Sequence, residues 1–223
     1  MGIKYFYDLE QGSEPWLECR RGILTASEMK HIITPTLRIA SNDKERSHLY
    51  EIVAQSISKF VEPHYISDDM LRGMADEVEA RTLYAKHYEN AGSCGFITND
   101  KWGFTIGYSP DGVVGDDGIV ECKSRRQKYQ IETIVNDEVP QEHMMQIQTG
   151  LLVSERKWLD YVSYCGGLPM YVKRVYPDQT VQDAIVAAAS AFYQKATKMI
   201  ADYHKIVEEK KLVPTGRKES LII

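Results

Sequence analysis

The sequence predicts an α+β domain, a central mixed β-sheet flanked by helices in an α/β/α arrangement, and three observations lead there. Amphipathic helical stretches fill the N-terminal third, short β-branched and aromatic runs separated by turn residues follow, and helix, strands and a long helix close the chain. The 223 residues suit one compact unit, and 43% hydrophobic content supplies a core.

Residues 14–21 read as a short helix, and Thr25-Ala26-Ser27-Glu28 has the capping-box pattern that opens another. Residues 35–44 carry Pro, Ser, Asn and Asp without periodicity and read as a loop. Asn42 and Glu45 offer a cap for a helix through Phe60, with Leu49, Ile52, Val53 and Ile57 at helical spacing. A longer helix is expected over 68–90, its buried face marked by Leu71, Met74, Val78 and Ala85, with Gly92 as a stop.

Residues 95–99, 103–108, 112–114 and 118–123 then read as a meander of antiparallel strands joined by Asn-Asp, Pro-Asp-Gly and Asp-Asp-Gly turns. Pro140 can begin a helix over 141–153, and strands are expected at 156–165 and 169–176 around Gly166-Gly167. The last helix spans about 178–210 on the stripe Val181, Ile185, Ala188, Phe192, Ala196, Ile200, Tyr203 and Val207. One domain over 1–223 follows, with 1–67 as a helical N-terminal part, 68–176 as the core and 177–223 as C-terminal helix and tail. The apolar end of Ser220-Leu221-Ile222-Ile223 is a candidate contact surface.

No apolar run approaches the ~20 residues needed to cross a bilayer. The first residues lack the apolar core of a signal peptide, so a cytoplasmic protein that does not engage a membrane is expected. Cys19, Cys94, Cys122 and Cys165 form no close pair, which argues against structural zinc or an iron–sulfur cluster and for reduced thiols. The net charge of −5 counts against a non-specific nucleic-acid binder, although carboxylates of a metal centre would contribute to it.

The sharpest chemical signal is Ser109-Pro110-Asp111-Gly112 followed by Glu121-Cys122-Lys123. Glu121 and Lys123 are two apart in a strand and share a face, while Cys122 points the other way. A hairpin can bring Asp111 beside Glu121. Two converging carboxylates suit a hard divalent cation, to which the Cys122 carbonyl could add an oxygen. A lysine on the same face can steer water and stabilise charge on a phosphate. Taken singly, Pro-Asp-Gly is a common turn and Glu-x-Lys a common solvated pair; in this order they favour chemistry.

Pro110-Asp111 and Glu121-Cys122-Lys123 resemble the PD-(D/E)xK nuclease signature. The chain resembles the phage lambda-type exonuclease family of viral recombinases in particular. Trp16, Arg20, Gly22 and Thr25-Ala26-Ser27-Glu28, then Gly73, Glu77 and Ala80-Arg81-Thr82-Leu83, then Gln146-Ile147-Gln148, match its motifs in order.

The resemblance implies a PD-(D/E)xK core in which Asp111, Glu121 and the Cys122 carbonyl bind metal and Lys123 orients water. Glu77 is then an auxiliary acid at a second metal or its water, and Gln146 lines the site. Arg20, Ser27, Arg38 and Ser109 would bind a 5′-terminal phosphate. From the residues alone, Glu77 could equally pair with Arg81 one turn on, and Ser27 could simply start a helix. Arg125, Arg126 and Lys128 follow the catalytic strand and could meet backbone phosphates, or form a solvated turn.

The implied activity is Mg²⁺-dependent 5′-to-3′ degradation of one strand of linear double-stranded DNA to mononucleotides, leaving 3′ overhangs for recombination by single-strand annealing. Two Mg²⁺ ions are implied, with Mn²⁺ as a substitute. The implied partners are DNA ends, two further copies in a homotrimeric ring, and a phage single-strand annealing protein. The alternatives are a PD-(D/E)xK endonuclease, a RecB-like nuclease, or a catalytically silent DNA-end-binding protein.

Overall fold

Tyr108 and Gly112 are near neighbours in sequence, yet the chain between them passes from one β-sheet to another. In the computed structural model, which describes residues 2–63 and 67–217, the elements run β1 (Ile3–Phe6), α1 (Glu14–Arg20), β2 (Leu24–Thr25), a 3₁₀ turn (Ala26–Glu28), α2 (Met29–Ile32), α3 (Asp43–Ser58), α4 (Asp68–His87) and β3 (Phe96–Asn99). They continue with β4 (Ile106–Tyr108), β5 (Gly112–Val114), β6 (Gly118–Ser124), α5 (Gln127–Asn136), α6 (Gln141–Ser154), β7 (Trp158–Tyr164), β8 (Tyr171–Val175) and α7 (Gln179–Glu209). Residues 220–223, the expected contact surface, lie outside the described residues.

The α+β class holds, but among the described residues the strands form two four-stranded mixed sheets rather than one. The first has the order β1-β3-β4-β2 and the second β5-β6-β7-β8. The expected meander is therefore two hairpins. β3 pairs antiparallel with β4, and β5 with β6. The parallel pairs β2–β4 and β6–β7 need crossovers, and α5 with α6 supplies the second of them. The N-terminal part also contributes strands: β1 and β2 border the first sheet.

Local chemistry explains most boundaries. Ser13 caps α1 through Trp16 N–H, and Asn42 caps α3 through the N–H groups of Lys44 and Glu45. Gly22 sits at φ +71°, and a Cβ there would meet Ser56 Oγ at 2.7 Å, so glycine is needed on both counts. α5 was not expected; Arg126 at its N-cap makes no side-chain capping bond.

The main core collects Ile185, Ala188, Phe192 and Ala196 of α7, Leu49, Ile52 and Val53 of α3, and Ile147 and Leu151 of α6. Each large side chain buried there contributes about 1.5–3 kcal/mol. The expected stripe of α7 stops being core beyond Ile200, and Tyr203 and Ile206 are exposed. A second cluster, Ala80 and Tyr84 of α4 with Val120, Cys122 and Val162, seals the opposite face of the second sheet.

The buried face of α4 differs from expectation. Leu71, Met74 and Val78 are more than half exposed, while Ala80 and Tyr84 are fully buried. The packing stripe is Gly73, Asp76, Glu77, Ala80 and Tyr84, so Glu77 lies on the side turned to the sheet. Met74 and Val78, with Met70, line a cleft instead of the core. Among the described residues no helix is long and apolar enough to cross a membrane.

Candidate active site

The β5–β6 hairpin sets the register of the acids. Gly112 pairs with Val120, and one step outward Asp111 meets the backbone of β6: its N–H donates to Val120 O at 3.1 Å, and its Oδ2 accepts the Cys122 N–H at 2.6 Å. Alternation along β6 sends Ile119 into the main core and Val120 and Cys122 into the second cluster, so Glu121 and Lys123 share the remaining face, as expected. Lys123 Nζ and Gln146 Nε2, the latter from α6, both donate to Glu121 Oε1 at 2.5 Å. The other oxygen, Oε2, accepts the Tyr108 hydroxyl at 2.7 Å.

Glu77 reaches this group electrostatically, its charge acting on Asp111, Cys122 and Lys123. It forms no ion pair with Arg81, the alternative its spacing allowed. Burial, then the charge of Glu121, pushes the Asp111 carboxyl well above its ordinary range, although Lys123 and the Cys122 N–H oppose this. Burial works to lower the Lys123 pKa, but Glu121 and Asp111 outweigh it and hold the ammonium above its usual value. Burial and the same two acids keep the Tyr108 phenol protonated, hence a donor. Among the described residues no three His, Cys, Asp or Glu side chains gather as an all-protein metal cage. Mutually repelling carboxylates beside a backbone carbonyl nevertheless fit Mg²⁺, which takes one or two carboxylates and fills its remaining positions with water or phosphate.

A second cluster adjoins the first. The Arg20 guanidinium lies 4.2 Å over the Trp16 ring and donates to Ser109 Oγ at 3.2 Å and Thr25 Oγ1 at 3.3 Å. The Trp16 indole N–H also donates to Ser109 Oγ, at 3.1 Å. With two donors on its oxygen, the Ser109 hydroxyl is left to give its own hydrogen to an incoming acceptor. Burial lowers the Arg20 pKa while Glu28 supports the charge. Glu28 accepts from both the N–H and the hydroxyl of Thr25, completing the expected cap and fixing Thr25 beside Arg20.

Ser27 is exposed, its hydroxyl 3.3 Å from that of Thr25. The helix that this capping pattern was expected to open is a 3₁₀ turn leading into the four-residue α2, too short for a useful dipole. Arg38 is not brought to the site by any contact: it is exposed in the Thr34–Arg38 turn, and its guanidinium makes no hydrogen bond or ion pair with a described residue. Arg125 is nearly buried, bonded to Glu142 at 2.6 Å and to the His143 ring at 3.0 Å, and Arg126 pairs with Asp69. Both are thus engaged within the protein.

Trp16, Glu77, Met74, Arg81, Pro110 and Asp111 line a cleft of about 1100 Å³ that runs along the exposed side of α4. Tyr108 and Thr25 were not singled out as site residues from the sequence. Tyr108 had only its place just before Ser109 as a signal, while Thr25 stood in the capping pattern and in the matched family motif without being marked as a site residue. All four cysteines are free; Cys19 is partly exposed and the others buried.

The model of the YqaJ-like viral recombinase domain matches residues 15–157, which span both clusters. The chain belongs to that family. It is also similar to the solved structure of an alkaline exonuclease from Laribacter hongkongensis, at 27% identity and a TM-score of 0.77 over 90% of this chain and 100% of that one. The same enzyme in complex with dAMP matches at 28% identity and a TM-score of 0.78, with the same coverage. A phage related exonuclease from Haemophilus somnus 129PT shares the fold at 13% identity and a TM-score of 0.54, over 79% of this chain and 96% of that one. No curated protein sequence matches the chain. The resemblance to viral recombinases and the nuclease fold expected from the sequence are borne out by these relatives.

Proposed function

We propose that this family member is a Mg²⁺-dependent 5′-to-3′ exonuclease that removes mononucleotides from one strand of linear double-stranded DNA. The observation that carries this reading is the adjacency of two clusters of different chemistry. Ser109, held by Arg20 and Trp16, stands two residues from Asp111, at most about 7 Å of extended chain. That is near the separation of successive phosphates along a strand. A terminal phosphate held at Ser109 thus presents the first phosphodiester to Asp111 and Glu121, and a requirement for a terminal phosphate restricts cutting to chain ends.

Asp111, Glu121 and the Cys122 carbonyl are the proposed Mg²⁺ ligands, with Glu77 at a second ion or its water and Mn²⁺ as a substitute. When bound there, the metal would supply an activated water and polarise the phosphate. Lys123, fixed by Glu121, orients that water and neutralises charge building on the phosphate oxygens. Gln146 holds Glu121 from α6 and borders the water's position. Arg20 grips the terminal phosphate through charge-assisted bonds, with the Ser109 and Ser27 hydroxyls as further donors. Arg38 remains a proposed 5′-phosphate contact, resting on the family resemblance.

The Laribacter relative's complex with dAMP supports a mononucleotide product. The 3′ overhangs, their use in annealing-type recombination, the homotrimeric ring and a single-strand annealing partner belong to the same proposal and rest on family resemblance. So does the role as a cytoplasmic phage or prophage protein.

The test is nucleotide release with Mg²⁺ from linear duplex bearing a 5′-phosphate, from the same duplex with a 5′-hydroxyl, and from closed circular DNA. Release from the phosphorylated linear ends alone is expected. Cutting of the circle would point to an endonuclease, and end binding without products to a silent scaffold.

A further inference from the structure

We infer that Tyr108 is a positioning residue that holds one carboxylate oxygen of Glu121 and leaves only the other for a cation. This deepens the metal-dependent reading above and rests on it. Tyr108 is 1% exposed and Glu121 2% exposed, and their 2.7 Å bond joins the last residue of β4 to the middle of β6. It therefore spans the two sheets.

The two oxygens of Glu121 face different surroundings. Oε2 accepts from the phenol, whose ring is enclosed by protein, so nothing the size of a hydrated ion can reach it from that side. Oε1 accepts from Lys123 and Gln146, and the Lys123 side chain is 24% exposed. Oε1 is thus held by two partly exposed side chains rather than by the core, so a cation reaching Glu121 meets this oxygen and shares it with, or displaces, one of those donors. With Oε2 taken, Glu121 offers a cation a single oxygen, a mode that suits Mg²⁺, which keeps its other positions for water and phosphate.

The ring is itself tightly located. Tyr108 pairs with Ile97 across β3. On α6, a Cβ at Gly150 would lie 2.8 Å from the ring carbon Cζ and 2.9 Å from Cε1, so glycine is what allows the helix to press the ring into place. A phenylalanine would fill the same space but leave a buried carboxylate oxygen without a donor. Glu121 would then be free to turn.

The test is Mn²⁺ binding to the full chain without DNA, by isothermal titration calorimetry, for wild type and Tyr108→Phe, with thermal unfolding in EDTA alongside. The expected result is binding weakened about tenfold in the variant. The Mg²⁺ concentration giving half-maximal nucleotide release should rise by a similar factor, while KM for DNA at saturating Mg²⁺ stays unchanged. Unaltered Mn²⁺ affinity in Tyr108→Phe, with only a lower melting temperature, would reduce Tyr108 to a structural tyrosine and overturn the inference. Wild type that binds no Mn²⁺ would instead overturn the metal-dependent reading beneath it. Should Tyr108→Phe fail to fold, Gly150→Ala keeps the phenol but displaces the ring, and the same loss of Mn²⁺ affinity is expected of it.

Discussion

The Cys122 N–H points at Asp111 Oδ2 from 2.6 Å, so the backbone of β6 fixes the carboxylate that the turn before β5 delivers. Neither residue could be moved without the other. Because Cys122 packs its thiol into the second core cluster, that cluster also holds the peptide plane against which Asp111 rests.

The proposed phosphate pocket predicts end selectivity. Arg20→Ala should lose the preference for 5′-phosphorylated over 5′-hydroxyl ends, with KM for phosphorylated ends rising on the order of 10- to 100-fold, the worth of a charged hydrogen-bonded contact. Arg20→Lys should rescue little, because a lysine cannot stack on Trp16 while reaching both Ser109 and Thr25. Steady-state kinetics on matched duplexes check this. An unchanged preference in Arg20→Ala would place the end-reading group elsewhere.

Gly150→Ala should be costly despite alanine's better helix propensity. The added methyl drives into the Tyr108 ring, and overpacking of this kind costs about 1–3 kcal/mol. Differential scanning calorimetry should show the melting temperature falling by several degrees. A variant as stable as wild type would show that the ring has room to yield.

His143 predicts an acid-side loss of stability. Burial first, then the charges of Lys123 and Arg125, pushes its pKa from 6.5 down to about 4. The unfolded chain therefore takes up a proton at His143 below about 6.5, whereas the folded chain resists until about 4. Stability from this group falls as pH drops through that window and is full above it, a change of roughly 3 kcal/mol at most. Urea unfolding at stepped pH should show the slope in wild type and a shallower one in His143→Gln. Equal slopes would remove His143 as the cause.

Much of the site was legible because a strand's period of two fixes which residues share a face. Glu121 and Lys123 had to lie together, and the turn residues around Asp111 required a hairpin. The split into two sheets after Tyr108 was not legible, since partner choice depends on β1 and β2, whose short runs carry little periodicity. The face of α4 was misjudged for a physical reason. Leu71, Met74 and Val78 recur at helical spacing, as core residues do, but all three are exposed, and Met74 and Val78 line an open cleft. Arg20 was legible through its motif, whereas its union with Ser109 joins residues far apart in the chain and needed the fold.

The most direct test of the central claim, that Asp111, Glu121 and Lys123 form a metal-dependent hydrolytic centre at a DNA end, is single-turnover nucleotide release from 5′-phosphorylated linear duplex. Wild type and Lys123→Ala would be compared, each with Mg²⁺ and with EDTA, and end binding measured in parallel. The proposed metal-dependent centre predicts that EDTA abolishes release and that Lys123→Ala slows it on the order of 10²–10³-fold with end binding retained. Release by Lys123→Ala at the wild-type rate, or release by wild type in EDTA, would contradict it.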